Sequence, residues 1–532
     1  MLHTRIGTRR VAALGLLVSL VAAHGVALGA KAPKSDLTNG SFERASGKSV
    51  YGWSTPKYWG GAIVAEAGAG MARSGKRCAK LTTSFSRKKH WGRTLTSARR
   101  MKFFVGSRHR YSMWVKGKGE FVLGYIQYVP SAMRKPPYKY YMQETPTTLT
   151  DTWQQVVYEF TMDDPRTSRI APVAELRGEG AVAWLDDATL TSAADPDAAI
   201  RVEPHHPMLA PGGSVDIQVA VLKGGKPLAS GEITVILPAK EGVPKTTTLA
   251  LGKSGTVTYR FTAAAGTEQG IHALTFSHAA TGVGQPIAVD VVDKATYAAF
   301  EQAASKTKLD GSPAHYLFIG DSLTDFFRDR NYVDKVGFWL RKVHGPKATV
   351  RNVGVGGDFI TRVWQRLNKD PKSYRLNMYD DLYDPMPTHV FWFLGHNDSK
   401  LASRSGYKDA CVPPDRFEAE YRLAIRKVQK DTKARITVMS ASSSVFEITK
   451  ANSDKRAAAG RAHNLFGQPA ALEQFNAIAK KVADECGAGY LDVYEPTRAH
   501  ADKPSLFTPD GVHVNNNGNR LLALEILKYL GR

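Results

Sequence analysis

The chain has 532 residues, too many for one hydrophobic core, so several domains are expected. Hydrophobic residues make up 43% of the sequence, which suits packed globular domains and excludes a wholly disordered protein. The formal net charge of +23 favours anionic partners, and a solvated basic surface without a partner is the simpler alternative.

Residues 1–32 differ in composition from the rest of the chain. Three arginines, Arg5, Arg9 and Arg10, precede the apolar stretch Val11–Ala30, a pattern that predicts a signal peptide. We therefore expect an exported protein located in the periplasm, at the cell surface or outside the cell. The alternative is an uncleaved membrane anchor, because about twenty apolar residues can span a bilayer. After cleavage we expect no stable membrane span.

Residues 33–194 contain short alternating strands rich in aromatic residues. Examples are Tyr111–Val115, Phe121–Tyr128 and Trp153–Phe160, separated by Gly and Pro. Alternation with a period of two and frequent turn residues predict an all-β sandwich. Basic residues outnumber acidic ones in this segment, so its surface favours acidic ligands. Nucleic acid is not expected as a partner, because the chain has no binding motif and carries an export signal.

The two ends of this segment carry short motifs, Asn39-Gly-Ser-Phe-Glu43 near its start and Ala183–Leu190 at its close. These ends resemble the jelly-roll carbohydrate-binding modules of secreted glycan-active enzymes. In such modules, acidic groups near the two ends often hold a structural calcium. The resemblance implies Glu43 and Asp187 as the matching ligands. Ordinary polar residues at strand ends are the alternative.

Three tryptophans of the same segment, Trp53, Trp59 and Trp91, are candidates for contacts with sugar. The C–H faces of a sugar ring suit an aromatic surface. Most tryptophans of a sandwich belong to its core, so core packing is the alternative for each ring.

Residues 195–295 form a second β-rich segment. Val215–Val221 and Thr256–Phe261 alternate cleanly between apolar and polar side chains, and glycine pairs mark the turns. The pattern predicts an immunoglobulin-like β-sandwich. It contains no group of reactive side chains, so we expect a spacer or interaction role.

From residue 296 to residue 532, apolar strands alternate with helical stretches, which predicts a parallel sheet with helices on both faces. The predicted strands are His315–Ile319, Thr349–Val353, His389–Leu394, Arg435–Ser440 and Gly489–Val493. Active sites of such folds lie beyond the carboxyl ends of the strands.

Four short motifs follow one another in this last segment: Gly320-Asp-Ser-Leu323, Asn352–Asp358, Gly395–Asp398 and Asp510-Gly-Val-His513. Each motif is weak evidence alone, but the four in this order resemble the SGNH (GDSL) hydrolase family across 296–532. The resemblance implies a flavodoxin-like three-layer α/β/α fold. It also implies ester hydrolysis that needs no cofactor.

The residue types suggest a catalytic triad. Ser322 is the candidate nucleophile, and His513 is the candidate base that removes its proton. Asp510 is placed to orient the imidazole and to stabilise its charged form. We expect a helix directly after Ser322 whose N-terminus supplies N–H groups. Each residue alone also has a simpler interpretation: Ser322 as a helix cap, Asp510 as part of a turn and His513 as a loop histidine.

A tetrahedral oxyanion needs fixed hydrogen-bond donors. The motifs offer the N–H groups of Ser322 and Gly357 and the side-chain amide of Asn397. Gly356 is the alternative glycine, because the doubled glycine leaves the register of the motif open.

The three cysteines are Cys78, Cys411 and Cys486. Only Cys411 and Cys486 share a predicted domain, so they are the one plausible pair within a domain. Free buried thiols are the alternative, and the spacing does not suggest a metal site.

These observations lead to a functional hypothesis. We expect a secreted serine esterase that hydrolyses acetyl esters on a polysaccharide, with an acidic polysaccharide favoured by the basic N-terminal segment. A secreted lipase or lysophospholipase is the alternative enzyme. A cell-envelope glycan-binding protein with a degenerate hydrolase domain is the alternative from another class, and the intact set of motifs argues against it.

Overall fold

The computed structural model describes the chain from residue 37 onwards, with internal gaps. The residues not described are 1–36, 57–58, 69, 87–88, 97–106, 129–137, 163–168, 196, 238–244, 326–330 and 462. The predicted signal peptide lies outside the described residues. In the part that is described, no helix has both the length and the apolar character needed to cross a membrane.

The N-terminal domain is built from β-strands. Its strands are β1 (Ala45–Ser46), β2 (Ser49–Val50), β3 (Ala62–Ala67), β4 (Arg77–Thr82), β5 (Ser84–Ser86), β6 (Lys89–Leu95), β7 (Arg108–Tyr128), β8 (Tyr138–Met142), β9 (Thr147–Thr148), β10 (Gln154–Thr161) and β11 (Arg169–Ser192). The β-rich character predicted for this segment is confirmed.

The long strands β7 and β11 form the framework of this domain. They pair antiparallel along most of their length, with shifts of register between Arg177 and Val182 and between Asp186 and Thr189. Shifts of this kind bend a strand pair and increase its twist. Alternate side chains of both strands, such as Met113 and Leu185, therefore enter one buried core.

The second domain contains two β-sheets that share one core. Its strands are β12 (Ala198–Glu203), β13 (Met208–Leu209), β14 (Ser214–Lys223), β15 (Lys226–Pro227), β16 (Glu232–Leu237), β17 (Lys245–Ala250), β18 (Thr256–Thr262), β19 (Gly270–His278) and β20 (Val283–Val291). One sheet has the order β12-β14-β15 with β18 also on β14, and the other has the order β13-β20-β19-β16-β17. Ile217 and Val219 of one sheet pack with Val235 and Phe276 of the other, so the domain is a two-layer sandwich.

The C-terminal domain alternates strands and helices. Its strands are β21 (Ala314–Gly320), β22 (Ala348–Asn352), β23 (His389–Phe393), β24 (Leu401–Ala402), β25 (Arg435–Met439), β26 (Asn464–Leu465) and β27 (Gly489–Leu491). Its helices are α1 (Lys294–Ser305), α2 (Tyr332–His344), α3 (Ile360–Leu367), α4 (His396–Ser399), α5 (Pro414–Thr432), α6 (Phe446–Ala458), α7 (Pro469–Glu485), α8 (Tyr494–Arg498) and α9 (Asn516–Leu530).

The main sheet of this domain has the order β22-β21-β23-β25-β27, and its neighbouring strands are parallel. Successive side chains of β21 enter different cores. Tyr316 and Phe318 pack with α1, α2 and α9, whereas Leu317 and Ile319 pack with α3, α5 and α7. Helices therefore cover both faces of the sheet, as the alternation of elements predicts.

The second and third domains meet at a buried group that we call the Asp290 junction, made of Asp290, Lys335, Asn516 and Arg520. Asp290 lies on β20 and is only 4% exposed. It accepts hydrogen bonds from Lys335 Nζ at 2.6 Å, Asn516 Nδ2 at 3.0 Å and two guanidinium nitrogens of Arg520. Burial alone would raise the pKa of Asp290, but the cations Arg520 and Lys335 outweigh burial and lower the pKa.

None of the three cysteines, all of which lie in the described part of the chain, forms a disulfide. The proposed pair of Cys411 and Cys486 is therefore not formed in this structure. Cys411 follows β24, and Cys486 ends α7.

Candidate active site

Three side chains from two distant parts of the C-terminal domain form a hydrogen-bonded chain. Ser322 lies in the turn that follows β21, and its Oγ is 2.8 Å from His513 Nε2. His513 Nδ1 is 2.6 Å from Asp510 Oδ2. When Nδ1–H donates to the carboxylate, Nε2 is left to accept the proton of the serine hydroxyl. The three residues selected from the sequence therefore converge with the geometry that a nucleophile and its base require.

The loop that carries Asp510 and His513 is held by its own hydrogen bonds. Asp510 Oδ1 accepts from the backbone N–H groups of Val512 and His513 at 2.9 Å and from the Thr508 hydroxyl at 2.9 Å. Gly511 has φ +77°, which a glycine adopts without strain, and its carbonyl accepts from Val445 N–H at 2.8 Å. The loop thus presents both side chains at a fixed distance from each other.

The carboxylate of Asp510 is stabilised in its ionised form. Partial burial would raise the pKa of Asp510, but the hydrogen bonds from the His513 side chain and from two backbone N–H groups outweigh burial and hold the pKa well below its usual range. The charge needed to orient the imidazole is therefore present from mildly acidic pH upwards.

The segment after Ser322 differs from the expected helix. Residues 321–324 form a turn in which Asp321 Oδ1 accepts from Leu323 N–H at 2.9 Å, and α2 begins only at Tyr332. The expectation of a helix N-terminus directly at Ser322 is wrong, because the Asp321 side chain closes a local turn before a helix can start. Asn331, not Ser322, caps α2.

Asn397 is the candidate side-chain donor of the oxyanion hole. It lies in α4, beyond the end of β23, and is buried. Its Nδ2 donates to Asp321 Oδ2 at 3.2 Å, and its Oδ1 accepts from Lys400 Nζ at 3.2 Å. These two contacts fix which end of the amide faces which neighbour, and the second N–H of the amide remains for a ligand.

Both glycines of the doubled pair reach the cavity beside Ser322. Gly357 has φ +79°, and its carbonyl accepts from Arg362. A side chain on Gly356 would collide with Asp325, with the added carbon 2.6 Å from a carboxylate oxygen. The positive φ favours glycine at Gly357, and close packing requires it at Gly356. Both N–H groups stay candidates for the oxyanion hole.

Two buried polar side chains lie next to these groups. Burial lowers the pKa of His396 to about 4, with a contribution from the nearby His513, and its Nε2 is 3.1 Å from the Ser442 hydroxyl. Burial raises the pKa of Asp398 to about 7, and its Oδ1 accepts from Ile360 N–H at 2.8 Å. His396 is therefore neutral, and it lines the cavity without adding charge.

Ser322 and His513 open into a cavity of about 1100 Å³. Most of the residues that line it have polar or charged side chains: Ser322, His396, Asn397, Ser403, Thr449, Asn452, Ser453, Lys455, Arg456, Arg461, His463, Asn464, Asp510 and His513. The apolar side chains that line it are Ala459, Phe466, Pro509 and Val512. The cavity therefore offers many hydrogen-bonding groups around the serine.

Comparison with known families identifies this region. Residues 318–521 match the model of the GDSL-like Lipase/Acylhydrolase family. This part of the chain is a GDSL-like hydrolase domain. The family is one of ester hydrolases, and the match covers all four motifs from Ser322 to His513. No curated protein sequence matches the chain.

Solved structures are similar to parts of the chain. A lipase/acylhydrolase from Enterococcus faecalis is 17% identical, with a TM-score of 0.31, covering 41% of this chain and 95% of its own. An acetyl xylan esterase from Geobacillus stearothermophilus is 23% identical, with a TM-score of 0.30, covering 42% of this chain and 96% of its own. A xylan-binding domain from Paenibacillus barcinonensis is 17% identical, with a TM-score of 0.23, covering 31% of this chain and 97% of its own.

Two parts of the GDSL-like domain's candidate site were not predicted from the sequence. Lys400, which contacts the Asn397 amide, lies three residues beyond it and belongs to no motif. The wall formed by α6 and the loop after it contributes Lys455, Arg456 and Arg461. A usable signal was present, because α6 follows the carboxyl end of β25, where ligands of parallel sheets bind.

The two candidate calcium ligands of the N-terminal domain contact one loop from two sides. Glu43 Oε1 accepts from the N–H groups of Lys76 and Arg77 at 2.8 and 3.0 Å. Asp187 accepts from Arg73 at 2.6 Å and from the Ser74 hydroxyl at 2.8 Å. In this arrangement the guanidinium occupies the position of a cation at Asp187, so the two carboxylates do not fit calcium without a rearrangement. A structural calcium stays a prediction from the resemblance.

The three candidate sugar-binding tryptophans are buried. Trp53, Trp59 and Trp91 are 5%, 3% and 6% exposed. Trp53 packs on Phe42 in the core of the N-terminal domain, and the Arg93 guanidinium lies 4.1 Å from the centre of the Trp91 ring. Their faces are therefore not open to a sugar, which corrects the expectation of stacking and favours the alternative of core packing.

One further set of potential metal ligands lies outside the GDSL-like site. Within the described parts of the chain, His205, His206 and Asp334 bring ligand atoms within 4.8 Å of one another. His206 Nδ1 accepts from Ala288 N–H at 3.0 Å, so the neutral ring carries its proton on Nε2. A metal requires an unprotonated nitrogen, and this tautomer therefore fits a metal poorly.

Proposed function

We propose that this protein is an exported serine esterase that removes acetyl groups from a polysaccharide. The main support is the hydrogen-bonded chain Asp510–His513–Ser322 and its opening into a cavity where most lining residues are polar. Their many hydrogen-bonding groups suit the hydroxyl groups of a sugar, whereas a long acyl chain needs an apolar groove. The predicted signal peptide supports export.

The proposed mechanism is acyl transfer in two steps. Ser322 Oγ attacks the carbonyl carbon of the acetyl ester, and His513 Nε2 takes the hydroxyl proton. His513 then gives this proton to the departing sugar oxygen, which leaves an acetyl group bound to Ser322. Water, deprotonated by His513, attacks the acetyl-enzyme and releases acetate, and the proton returns to Ser322.

Negative charge develops on the carbonyl oxygen in both steps. The proposed donors are the N–H groups of Ser322 and Gly357 and the Nδ2–H of Asn397, with Gly356 as the alternative to Gly357. Such donors help most when they are fixed before the reaction, since no reorganisation is then needed. The contacts of the Asn397 amide with Asp321 and Lys400 supply that restraint.

The test is acetate release from a panel of acetylated polysaccharides by wild type and Ser322→Ala. We expect release from at least one polysaccharide by wild type and none above background by the variant. A phospholipid arm tests the alternative enzyme. Release of fatty acid from phospholipid without release of acetate from any polysaccharide would replace the proposal by a lipase. Inactivity on all esters, including 4-nitrophenyl acetate, would favour a binding protein.

A further inference from the structure

The catalytic cavity has one strongly basic wall. It is formed by Lys455 and Arg456 at the end of α6 and by Arg461, which follows the helix. These three side chains line the same cavity as Ser322, and each is exposed. We call these three residues the basic wall.

The end of α6 brings the three side chains together. Gly460, with φ +63°, donates its N–H to Ala457 O at 2.9 Å, and Arg461 donates its N–H to Arg456 O at 2.9 Å. This is the hydrogen-bond pattern of a Schellman motif, which turns the chain back at a helix C-terminus. Arg461 is therefore returned to the last turn of α6, beside Arg456.

The basic wall lacks acidic partners. Among the described residues, no carboxylate forms an ion pair with Lys455, Arg456 or Arg461. Other exposed bases on helices of this domain do have partners four residues away, as in Lys450 with Asp454 and Lys480 with Asp484. Asp454, near the end of α6, thus pairs with Lys450, and neither residue lines the cavity.

A second role for two of these bases has to be weighed. Lys455 and Arg456 lie in the last turn of α6, where a positive charge interacts favourably with the helix dipole. That role does not account for Arg461, which follows the helix, or for the direction of all three into the cavity. It also predicts no dependence of activity on the charge of the substrate.

We propose that the basic wall is an anion subsite that binds a carboxylate or sulfate group of the polysaccharide, next to the sugar that carries the acetyl ester. This inference rests on the proposed function and specifies its substrate class as an acidic polysaccharide. Arginine matches the planar, two-oxygen geometry of a carboxylate or sulfate, and unpaired cations in a shared cavity raise the local concentration of an anionic ligand. The cavity slightly exceeds the roughly 300–1,000 Å³ typical of small-molecule pockets, which leaves room for a neighbouring sugar.

The test compares a triple variant, Lys455→Gln/Arg456→Gln/Arg461→Gln, with wild type. The matched control is Arg416→Gln/Lys430→Gln/Lys480→Gln, which removes the same charge from α5 and α7, outside the cavity lining. Substrates are an acetylated polyuronate, a neutral acetylated xylan and 4-nitrophenyl acetate. We expect kcat/KM of the triple variant to fall about 10- to 100-fold on the polyuronate and to stay within about twofold on 4-nitrophenyl acetate.

A second experiment measures anion binding directly, and it does not require a polysaccharide that releases acetate. Unacetylated oligogalacturonate, sulfated dextran and neutral dextran are added to the hydrolysis of 4-nitrophenyl acetate. We expect the first or the second to inhibit wild type and the control, with the inhibition weakened by salt, and to inhibit the triple variant at least about tenfold less. The two polymers distinguish a carboxylate from a sulfate ligand.

Two results would overturn the anion subsite. One is equal kcat/KM of wild type and triple variant on the polyuronate, and the other is equal inhibition of both by every charged polymer. Loss of the proposed function has a different signature, because wild type then releases no acetate from any polysaccharide while the inhibition by anionic polymers still depends on the basic wall.

Discussion

The proposed catalytic site and the Asp290 junction both use an aspartate to hold the C-terminal segment, and they differ in which polar groups lack a partner within the protein. In the junction, Asp290 is 4% exposed, and Lys335, Asn516 and Arg520 occupy its two oxygens. In the site, the side chain of Asp510 is 48% exposed, and its hydrogen-bonded chain ends at Ser322 in an open cavity.

This difference in hydrogen bonding suggests that Asp290 stabilises the fold, whereas Asp510 takes part in proton transfer. A buried carboxylate whose oxygens are all occupied by donors from the chain is suited to fixing one segment against another. A chain of hydrogen bonds that ends on an accessible hydroxyl is suited to moving a proton. Variants of the first region should lower stability, and variants of the second should lower the rate of hydrolysis.

The largest expected effect is that of Ser322→Ala. We expect kcat/KM on 4-nitrophenyl acetate to fall at least about 10⁴-fold, because the variant lacks the nucleophile. Its thermal unfolding should match that of wild type. Ser305→Ala, which removes an exposed hydroxyl on α1, is the control and should retain full activity. Substantial residual activity of Ser322→Ala would mean that another group performs the attack.

The next effect is that of Asp510→Asn, for which we expect kcat to fall about 10³- to 10⁴-fold. The amide lacks the charge that stabilises the imidazolium and can impose the wrong tautomer on His513. Steady-state kinetics on 4-nitrophenyl acetate measure the loss. A decrease of less than about tenfold would show that Asp510 only supports the loop.

Two asparagines, one in the proposed catalytic site and one in the Asp290 junction, allow the two regions to be compared by the same type of substitution. Asn397→Ala removes a proposed oxyanion donor, so we expect kcat to fall about 10²- to 10³-fold with little change in KM. Asn516→Ala removes a donor to Asp290 Oδ1, so we expect a lower melting temperature and nearly unchanged kcat. The reverse pattern would contradict the division of the two regions.

The junction itself is tested by Asp290→Asn. We expect the free energy of unfolding to fall by about 3–5 kcal/mol, because Lys335 and Arg520 would be left without their counter-charge in a buried position. Asp216→Asn, which breaks the exposed pair with Arg260 in the same domain, is the control and should leave the stability almost unchanged, because solvent screens the pair. Thermal and denaturant unfolding measure both. Equal losses would show that burial of the junction adds nothing.

The same variant has a pH signature. The pKa of Asp290 is lowered in the folded protein, so its stabilisation is complete above the pKa of the unfolded chain and is lost as the pH falls through the folded pKa. We expect wild type to lose stability on strong acidification and Asp290→Asn to lose less. Melting temperatures from neutral to acidic pH give the two slopes, and parallel slopes would exclude Asp290 as the cause.

The smallest expected effect is that of calcium on the N-terminal domain. Asp187 resembles the junction rather than the catalytic site, since Arg73 and Ser74 already occupy its oxygens. We therefore expect millimolar calcium to leave the melting temperature almost unchanged. A rise that Glu43→Gln or Asp187→Asn abolishes would show that calcium displaces the guanidinium.

Local sequence pattern predicted much of this protein. Strand and helix alternation after residue 296 predicted the parallel sheet, because the period of apolar residues is set by the geometry of each element. The motifs predicted which residues meet: the first three lie at the carboxyl ends of strands on the same edge of the sheet, and the fourth lies in the loop before α9, which reaches that edge. Ser322, Asn397, Asp510 and His513 are the residues found at that edge.

Predictions from the sequence were wrong where a contact in the folded protein outweighed the preference of the local sequence. The helix predicted at Ser322 is replaced by a turn, because the Asp321 carboxylate binds Leu323 N–H. Trp53, Trp59 and Trp91 share their residue type with sugar-binding rings, but whether a ring is open or buried depends on the strands that pack over it.

Local sequence patterns predicted the order of elements, the β-rich and α/β parts of the chain and the candidate reactive side chains. Tertiary contacts alone show which carboxylates have all their oxygens paired, that Lys400 contacts Asn397, and that Lys455, Arg456 and Arg461 share a cavity with Ser322. The two kinds of information differ in the distance along the chain over which the interactions act. Propensity and periodicity act over a few residues, whereas burial and charge pairing join residues such as Asp290 and Arg520 that are far apart in the chain.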